Sequence, residues 1–309
     1  MIRAAALAAP ADALRASPVR VRVPATSANL GPGFDACGLA LALYDDVVVR
    51  AGDDGVVVAV TGEDDVPRDE RHLVVRAVRA GLAALGIDAP GLEVSCVNRV
   101  PHGRGLGSSA AAITAGVVAA GALARTGMPD DLALRVACEL EGHPDNVAAC
   151  LLGGFTLSWY ERGRARAVRL EPAAGLSPVV FVPAARASTA QSRADLPAAV
   201  PHADAAAAAG RAALLVHALT VRPDLLLAAT EDRLHQPYRL PAMPATAALL
   251  RRLREAGVPA VLSGSGPTVL ALAGSPGQAE RAAGAEAAGF DTLALDVDGR
   301  GARIVPLSG

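Results

Sequence analysis

The chain has 309 residues, 52% of them hydrophobic but only 3% aromatic, so its core must be built from Ala, Val and Leu and is large enough for two domains. The formal net charge of −2 gives no electrostatic case for binding nucleic acid or an anionic membrane. All 29 basic residues are arginines, and the absence of lysine excludes a Walker-A loop, a protein-kinase strand lysine and a pyridoxal Schiff base.

The first seventeen residues are rich in alanine and are interpreted as a flexible N-terminal tail. The apolar run Ala110–Ala124 is too short and too weakly apolar to predict a membrane span. The four cysteines are scattered without metal-ligand spacing, which indicates reduced core thiols in a cytoplasmic protein.

Strands and one helix are predicted before the glycine-rich part of the chain. They are a strand at Val19–Val23, paired strands at Tyr44–Arg50 and Val56–Thr61 joined by the turn Asp53-Asp54-Gly55, a helix at Arg71–Leu85 and a strand at Leu92–Val100. The polar loop Pro24–Asp35 has two interpretations. Asn29 and Asp35 either contact a ligand or only satisfy backbone groups in a tight connection.

The segment Pro101–Ala111 places three alternate glycines before Ser108 and Ser109 and a run of small residues. A glycine-rich turn that opens a helix gathers unpaired N–H groups at the positive end of the helix dipole. The serines would cap the helix and offer hydroxyls to a phosphate or a metal-bound oxygen. The pattern favours a phosphate-binding loop on a buried helix, the alternative being a close-packed turn. It lacks the G-x-G-x-x-G spacing of a Rossmann fold.

A second predicted helix, Asp130–Leu140, leads into a polar segment with two acids and a histidine. The dipole disfavours Glu139 and Glu141 at a helix end, so a cation such as Mg²⁺ shared with phosphates would explain one of them; an ordinary exposed carboxylate is the alternative. His143 lies among polar groups and is a candidate for a site, whereas Asp145 is interpreted as a helix cap.

The second half alternates strands with helices, which favours an α+β layer with an antiparallel sheet. A hairpin at Phe155–Tyr160 and Ala165–Leu170 precedes it, and two strands at Thr292–Leu295 and Ala302–Val305 close the chain. Arg193 and Arg239 lie in polar loops and suit a substrate carboxylate, unless they are surface residues. The second glycine turn, Ser263–Thr268, indicates another backbone approach to a phosphate or to the first loop.

Pro24–Asp35, Pro101–Ala111 and Ser263–Thr268 together resemble the GHMP kinase superfamily, and Glu141–Asn146 with Gly153-Gly154 resembles its homoserine kinases. The resemblance runs from Val19 to the last strand. It implies a two-domain α+β fold: an ATP-binding domain at 18–171 like the second domain of ribosomal protein S5, a ferredoxin-like domain at 172–309, and an active site between them. It also implies a homodimer.

The activity implied by the resemblance is transfer of the ATP γ-phosphoryl group to the side-chain hydroxyl of L-homoserine, in threonine biosynthesis. Ser109 and Glu139 would hold Mg²⁺, with Glu141 left open as the acid. The ATP phosphates would be bound by Pro101, His102, Gly103, Arg104, Gly105, Leu106, Gly107, Ser108, Ser109, Ala110 and Ala111. Homoserine would be bound by Asn29, Asp35, His143, Thr189, Arg193 and Arg239.

Asn146 occupies a position where several related kinases place an aspartate base. Because a neutral amide cannot take a proton, the resemblance leads to a hypothesis of catalysis by positioning and charge stabilisation, with Asn146, Ser109 and Glu139 as catalytic residues. The rival interpretations are another GHMP kinase, acting on mevalonate-type or isoprenoid alcohols or on a sugar, and a non-catalytic ATP-binding relative. The alanine-rich stretch Asp204–Gly210 departs from the family pattern and puts local packing or one site contact in doubt.

Overall fold

The computed structural model describes residues 13–62, 65–88 and 91–307, and the side chain of Thr189 lies outside this description. The predicted tail falls mostly outside the described residues. Its last part is attached, because the Arg15 amide donates to the Leu123 carbonyl at 2.8 Å and Leu14 forms a bridge with Ala124. Within the described ranges, no helix has the length and hydropathy needed to span a membrane.

Strands form two separate sheets in the described part of the chain. The strands are β1 (Val19–Ala28), β2 (Cys37–Gly52), β3 (Gly55–Gly62), β4 (Gly91–Asn98), β5 (Phe155–Glu161), β6 (Arg164–Leu170), β7 (Ser177–Pro183), β8 (Ala260–Leu262), β9 (Val269–Ala273), β10 (Phe290–Ala294) and β11 (Arg303–Val305). Seven of them form the first sheet, in the order β11-β1-β2-β4-β3 with β5 on β2 and β6 on β5. The other four form an antiparallel sheet in the order β10-β7-β9-β8.

Helices cover these sheets. They are α1 (Leu73–Ala84), α2 (Ser108–Leu123), α3 (Asp130–Glu141), α4 (Asp145–Leu152), α5 (Thr189–Ala194), α6 (His202–Thr220), α7 (Leu226–Ala229), α8 (Gln236–Arg239), α9 (Pro244–Glu255) and α10 (Pro276–Ala283). The small side chains of α2 are buried on nearly all sides, as the composition of that run predicts. The α+β class and the hairpin β5–β6 are confirmed.

Two pairings in the first sheet correct the sequence-based prediction. The turn Asp53-Asp54-Gly55 does not join a hairpin, because β4 lies between β2 and β3 and pairs with β3 in parallel. The last strand, β11, pairs antiparallel with β1, so Arg303–Val305 belongs to the first sheet and not to the second half. The division of the chain at 171/172 otherwise remains a prediction.

One apolar cluster joins the two halves. Leu30, Leu39 and Leu106 of the first half pack in the same fully buried cluster as Val180 and Leu215 of the second. Burial of each such side chain contributes about 1.5–3 kcal/mol. The polar loops that carry the site residues therefore lie on a shared core, which fixes their relative positions.

Candidate active site

The glycine-rich loop connects β4 to α2, as the sequence predicts. α2 begins at Ser108, and Gly107 precedes it with φ +69°, a conformation that favours glycine. The Thr26 hydroxyl occupies the space that a Cβ at Gly107 would fill. The prediction that the serines cap the helix is wrong, because the cap residue is Gly107 and no side chain caps this end. Both hydroxyls are consequently left for other contacts.

The two glycine turns contact each other, which confirms the second-turn prediction. The Ser263 hydroxyl donates to the Gly105 carbonyl at 2.6 Å, and the Thr268 amide donates to Arg104 at 3.3 Å. A Cβ at Gly105 would collide with the carbonyl oxygens of Ser263 and Gly266. The first loop is thereby held between the two halves of the molecule.

A cavity of about 140 Å³ opens where these loops meet. It brings together eleven residues predicted for the site: Asn29, Asp35, Gly103, Gly105, Gly107, Ser108, Ser109, His143, Asn146, Arg193 and Arg239. It adds Glu141, Asp145, Ala187, Gly264 and Ser265. Six predicted loop residues do not line it: Pro101, His102, Arg104, Leu106, Ala110 and Ala111. Arg104 instead donates through Nε to the Pro183 carbonyl at 2.9 Å.

Glu141 and not Glu139 faces the cavity. The Glu141 side chain is 9% exposed and accepts a hydrogen bond from the Ser109 hydroxyl at 2.6 Å. Burial raises the pKa of this carboxyl, as does Asp145, although the Ser109 hydrogen bond and His143 oppose the shift. Glu139 is exposed and does not line the cavity. The structure thus places the alternative acid, Glu141, at the cavity and Glu139 outside it, because residues two positions apart on a helix point to nearly opposite sides.

A hydrogen-bonded chain runs from His143 to Thr26. His143 Nδ1 donates to Asp145 Oδ1 at 2.7 Å, and the same oxygen accepts the Asn146 amide at 2.7 Å. The Thr26 hydroxyl donates to Asn146 Oδ1 at 2.8 Å, the Asn146 side-chain nitrogen lies 3.5 Å from Asp145 Oδ1, and Asn146 lines the cavity. Burial lowers the pKa of His143, but the Asp145 hydrogen bond and the charges of Asp145 and Glu141 raise it above its ordinary value.

Asp35 and Arg193 form a bidentate ion pair across the cavity. Arg193 Nη1 and Nη2 lie 2.9 and 2.8 Å from the two carboxylate oxygens. Asn29 supports this arrangement: its Oδ1 accepts the Asp35 amide at 3.0 Å and its Nδ2 donates to the Gly264 carbonyl at 2.9 Å. Asn29 and Asp35 both have positive φ, and such strain is concentrated at functional sites.

A second cavity of about 310 Å³ lies beside the first and shares Ser108 and Ser109 with it. Its other walls are largely apolar and include Val47, Pro67 and Val74. The predicted loop residues His102 and Ala111 line this cavity. The loop and the start of α2 therefore separate a polar compartment from an apolar one.

Sequence reasoning missed Thr26 and underestimated Asp145. Thr26 is fully buried, and its signal was its place in the polar loop after the first strand. Asp145 does more than begin α4, because it holds both His143 and Asn146. Thr189 begins α5, the helix that also carries Arg193, and its side chain lies outside the described part of the structure.

Comparisons with known proteins identify the family. The GHMP kinases N terminal domain matches residues 72–154 and the GHMP kinases C terminal domain matches residues 205–288. The homoserine kinase of Streptomyces avermitilis is 60% identical over 301 residues, which cover 96% of this chain and 98% of that protein. The chain belongs to the homoserine kinases of the GHMP family.

A second relative and a solved structure agree with this family. The homoserine kinase of Streptomyces coelicolor is 60% identical over 96% of this chain and 97% of its own. The crystal structure of homoserine kinase from Cytophaga hutchinsonii superposes with a TM-score of 0.83 at 30% identity, covering 93% of this chain and 97% of that one. The two-domain GHMP fold is thus confirmed, and members of the family are ATP-dependent kinases that phosphorylate an alcohol.

Proposed function

We propose that this protein phosphorylates the side-chain hydroxyl of L-homoserine with ATP and forms O-phospho-L-homoserine, in threonine biosynthesis. The observation that carries the proposal is the polar cavity in which the glycine loop and the Ser109–Glu141 pair face Asp35, Arg193 and Arg239. The first group suits a nucleotide phosphate, and the second suits a small zwitterion. The homoserine kinases that are 60% identical support this substrate.

The triphosphate of ATP would bind at the start of α2. The first turn of a helix offers N–H groups without intrahelical partners, and the dipole adds positive charge, so the triphosphate would bind there without a lysine. The apolar cavity behind Ser108 and Ser109 is suited to the adenine base. Arg104 is turned toward carbonyl groups of the second half, so we assign it to holding the loop and not to the phosphates.

Two side chains at the cavity, Ser109 and Glu141, have the chemistry of Mg²⁺ ligands. The Ser109 hydroxyl and the Glu141 carboxylate are oxygen ligands of the kind that Mg²⁺ prefers. The described residues contain no group of three His, Cys, Asp or Glu side chains that could hold a metal alone. This agrees with an ion that takes its remaining ligands from phosphates and water. When bound, the ion would neutralise charge on the transferred group.

The substrate would be held by charge at both ends. Asp35 would bind the ammonium group and Arg193 and Arg239 the carboxylate, while His143 and Asn146 face the hydroxyl and the phosphoryl group. The raised pKa of His143 favours its protonated form, which would stabilise negative charge. Catalysis then rests on positioning and charge stabilisation, and the hydroxyl proton leaves to a phosphate oxygen or to solvent.

An ADP-release assay with homoserine, mevalonate and galactose tests the proposal. We expect turnover with L-homoserine only. Turnover with mevalonate or galactose would replace the substrate assignment, and ATP binding without turnover of any alcohol would favour a non-catalytic relative. A cytoplasmic location is supported by four buried, unpaired thiols, which suit a reducing compartment. The implied homodimer is tested by mass measurement in solution.

A further inference from the structure

The segment between α7 and α8 carries a buried polar pair that the proposed reaction does not use. The side chains of Asp232 and His235 are both fully buried. Asp232 Oδ2 accepts the backbone amides of His235 at 3.1 Å and Gln236 at 2.7 Å, and Oδ1 accepts that of Leu234 at 2.8 Å. Asp232 therefore fixes the turn from which the His235 ring projects.

The two neighbours of the ring determine where its proton lies. His235 Nε2 lies 2.9 Å from the Gly31 carbonyl oxygen, which can only accept, so Nε2 must carry the proton. His235 Nδ1 lies 3.1 Å from Arg239 Nη1, which can only donate, so Nδ1 must be an unprotonated acceptor. Both contacts are satisfied by one neutral tautomer. A charged ring would place a proton against the guanidinium.

The charges around the ring agree with this neutral form. Burial lowers the pKa of His235 below its ordinary value, and the charge of Arg239 lowers it further. Asp232 on the same turn and Asp35 on the opposite loop act in the other direction. Phe34 stacks on the ring with centroids 5.3 Å apart, which excludes water from this side.

Arg239 is buried to 2% exposure, and most of its donors are used by the protein. Nε donates to the Ser192 carbonyl at 3.1 Å, and Nη1 donates to His235 and to the Gly264 carbonyl at 3.3 Å. Among the described residues, Nη2 has no hydrogen-bond partner, and the side chain lines the polar cavity. Arg239 is thus fixed by the protein through Nε and Nη1, and its Nη2 is available to a ligand in the cavity.

We propose that His235 is a positioning residue: by accepting from Arg239 Nη1 at its bare Nδ1, it aims Nη2 at the carboxylate of the amino-acid substrate. The proposal rests on the proposed function, because it requires a substrate with a carboxylate. The Gly31 contact also connects the His235–Arg239 pair to the polar loop of the first half, so both sides of the cavity share one support.

Two amide substitutions separate the two hydrogen bonds of the His235 ring, one to the Gly31 carbonyl and one from Arg239. His235→Gln can place its amide nitrogen near the position of Nε2, where it donates to the Gly31 carbonyl, but it has no acceptor at the position of Nδ1. His235→Asn instead places an oxygen near the position of Nδ1. We expect His235→Gln to raise KM for homoserine about tenfold or more, the loss typical of one hydrogen bond to a charged group, with kcat changed less than about threefold. His235→Asn should restore most of the affinity. The exposed His217→Gln is the matched control.

The result that identifies positioning is dependence on the carboxylate. 3-Amino-1-propanol keeps the hydroxyl and the ammonium but has no carboxylate, so its inhibition constant should be the same in wild type and His235→Gln. Equal loss for both compounds, or a parallel rise in KM for ATP, would show a merely structural role. If wild type does not phosphorylate homoserine, the proposed function itself fails. If it does and the His235→Gln KM is unchanged, only this inference fails.

A measurement on the unaltered protein covers the case in which the variants do not fold. Nitrogen NMR of the histidine rings should show His235 with an unprotonated Nδ1 and a protonated Nε2 across neutral pH. A ring protonated on Nδ1 would overturn the proposal, since it could not accept from Arg239.

Discussion

At the scale of single residues, Glu141 is the acid through which the proposed metal site can be tested. We expect Glu141→Gln to lower kcat by about 100-fold or more, because an isosteric amide keeps the contact with Ser109 but removes the charge that binds the cation. Glu139→Gln, two residues away on the exposed side of α3, is the control and should remain within about twofold of wild type. The measurement is kcat as a function of Mg²⁺ concentration.

The opposite ranking of the two variants would restore Glu139 as the ligand. Wild-type kcat for both variants at saturating Mg²⁺ would show that neither acid binds a catalytic ion. Substrate affinity serves as a second readout, since the proposed homoserine contacts are made by other side chains.

The sequence was sufficient to bring most of the cavity residues together but not to orient them. Asn29, Asp35, Arg193 and Arg239 were nominated by residue type and by family resemblance, and all four line the cavity. The choice between two acids near a helix end requires knowing which side of the helix is buried, and that depends on tertiary packing. The ion pair between Asp35 and Arg193 was likewise beyond prediction, since it joins residues from separate halves.

At the scale of structural elements, the contact between the two glycine turns can be tested with a matched pair of alanines. Gly103 and Gly105 both have positive φ, so alanine strains each backbone by about 1 kcal/mol. A Cβ at Gly105 would also meet the Ser263 and Gly266 carbonyls, whereas a Cβ at Gly103 has its nearest neighbour at an ordinary 3.5 Å. We expect Gly105→Ala to raise KM for ATP at least about tenfold more than Gly103→Ala.

Equal effects of the two alanines would mean that the inter-turn contact is not needed for ATP binding. Isothermal titration with ATP and a thermal unfolding curve for each variant separate loss of the site from loss of the fold.

Asp46 of β2 forms ion pairs with arginines and provides a pH-dependent contribution to stability. Burial opposes its ionisation, but hydrogen bonds from Arg22, Arg20 and Arg99 lower its pKa to about 2. Because the pKa of Asp46 is lower in the folded protein, its ionised carboxylate stabilises the fold at any pH above the ordinary pKa of 3.8. This contribution is lost as the pH falls from there toward 2. Allowing for screening at the half-exposed Arg99, Asp46→Asn should cost roughly 1–2 kcal/mol at pH 7.

Urea unfolding of wild type and Asp46→Asn at several pH values checks this prediction. The difference in unfolding free energy between wild type and Asp46→Asn should be constant above about pH 5. It should shrink toward zero as the pH falls from about 4 to about 2. A difference that persists at pH 2 would show that the amide costs stability through packing and not through the lost charge.

Local sequence signals predicted the strands of the first sheet but not which strands pair with each other. The turn Asp53-Asp54-Gly55 is a genuine reversal, and the strands on both sides form as predicted. Their partner, however, is β4, which arrives later in the chain after α1 and lies between them. A turn predicts that the chain reverses but does not say which strand fills the space beside it.

At the scale of the whole molecule, the halves are joined by the shared apolar cluster and by β11, so we expect one cooperative unfolding transition. Trp159, the single tryptophan, reports on the first sheet, and far-UV circular dichroism reports on both. The two midpoints should coincide. Two separate midpoints would show that the halves unfold independently.

Arg303→Gln tests whether β11 contributes to this coupling. Arg303 Nη1 donates to Asp298 at 3.1 Å and to the Gly301 carbonyl at 2.8 Å, and the loss of these contacts should cost about 1–2 kcal/mol. Both midpoints should fall together. Arg300→Gln, exposed in the same segment, is the control and should leave both unchanged.

The return of β11 to β1 also sets an order on synthesis. β1 leaves the ribosome among the first elements, but one of its edges stays unpaired until Arg303–Val305 has emerged, almost the whole chain later. An exposed strand edge is a template for pairing with another chain. The nascent chain therefore carries this open edge while the segments from β2 to β10 are made, and slow decoding before β11 would lengthen the time in which neighbouring chains on one polysome can pair with each other instead.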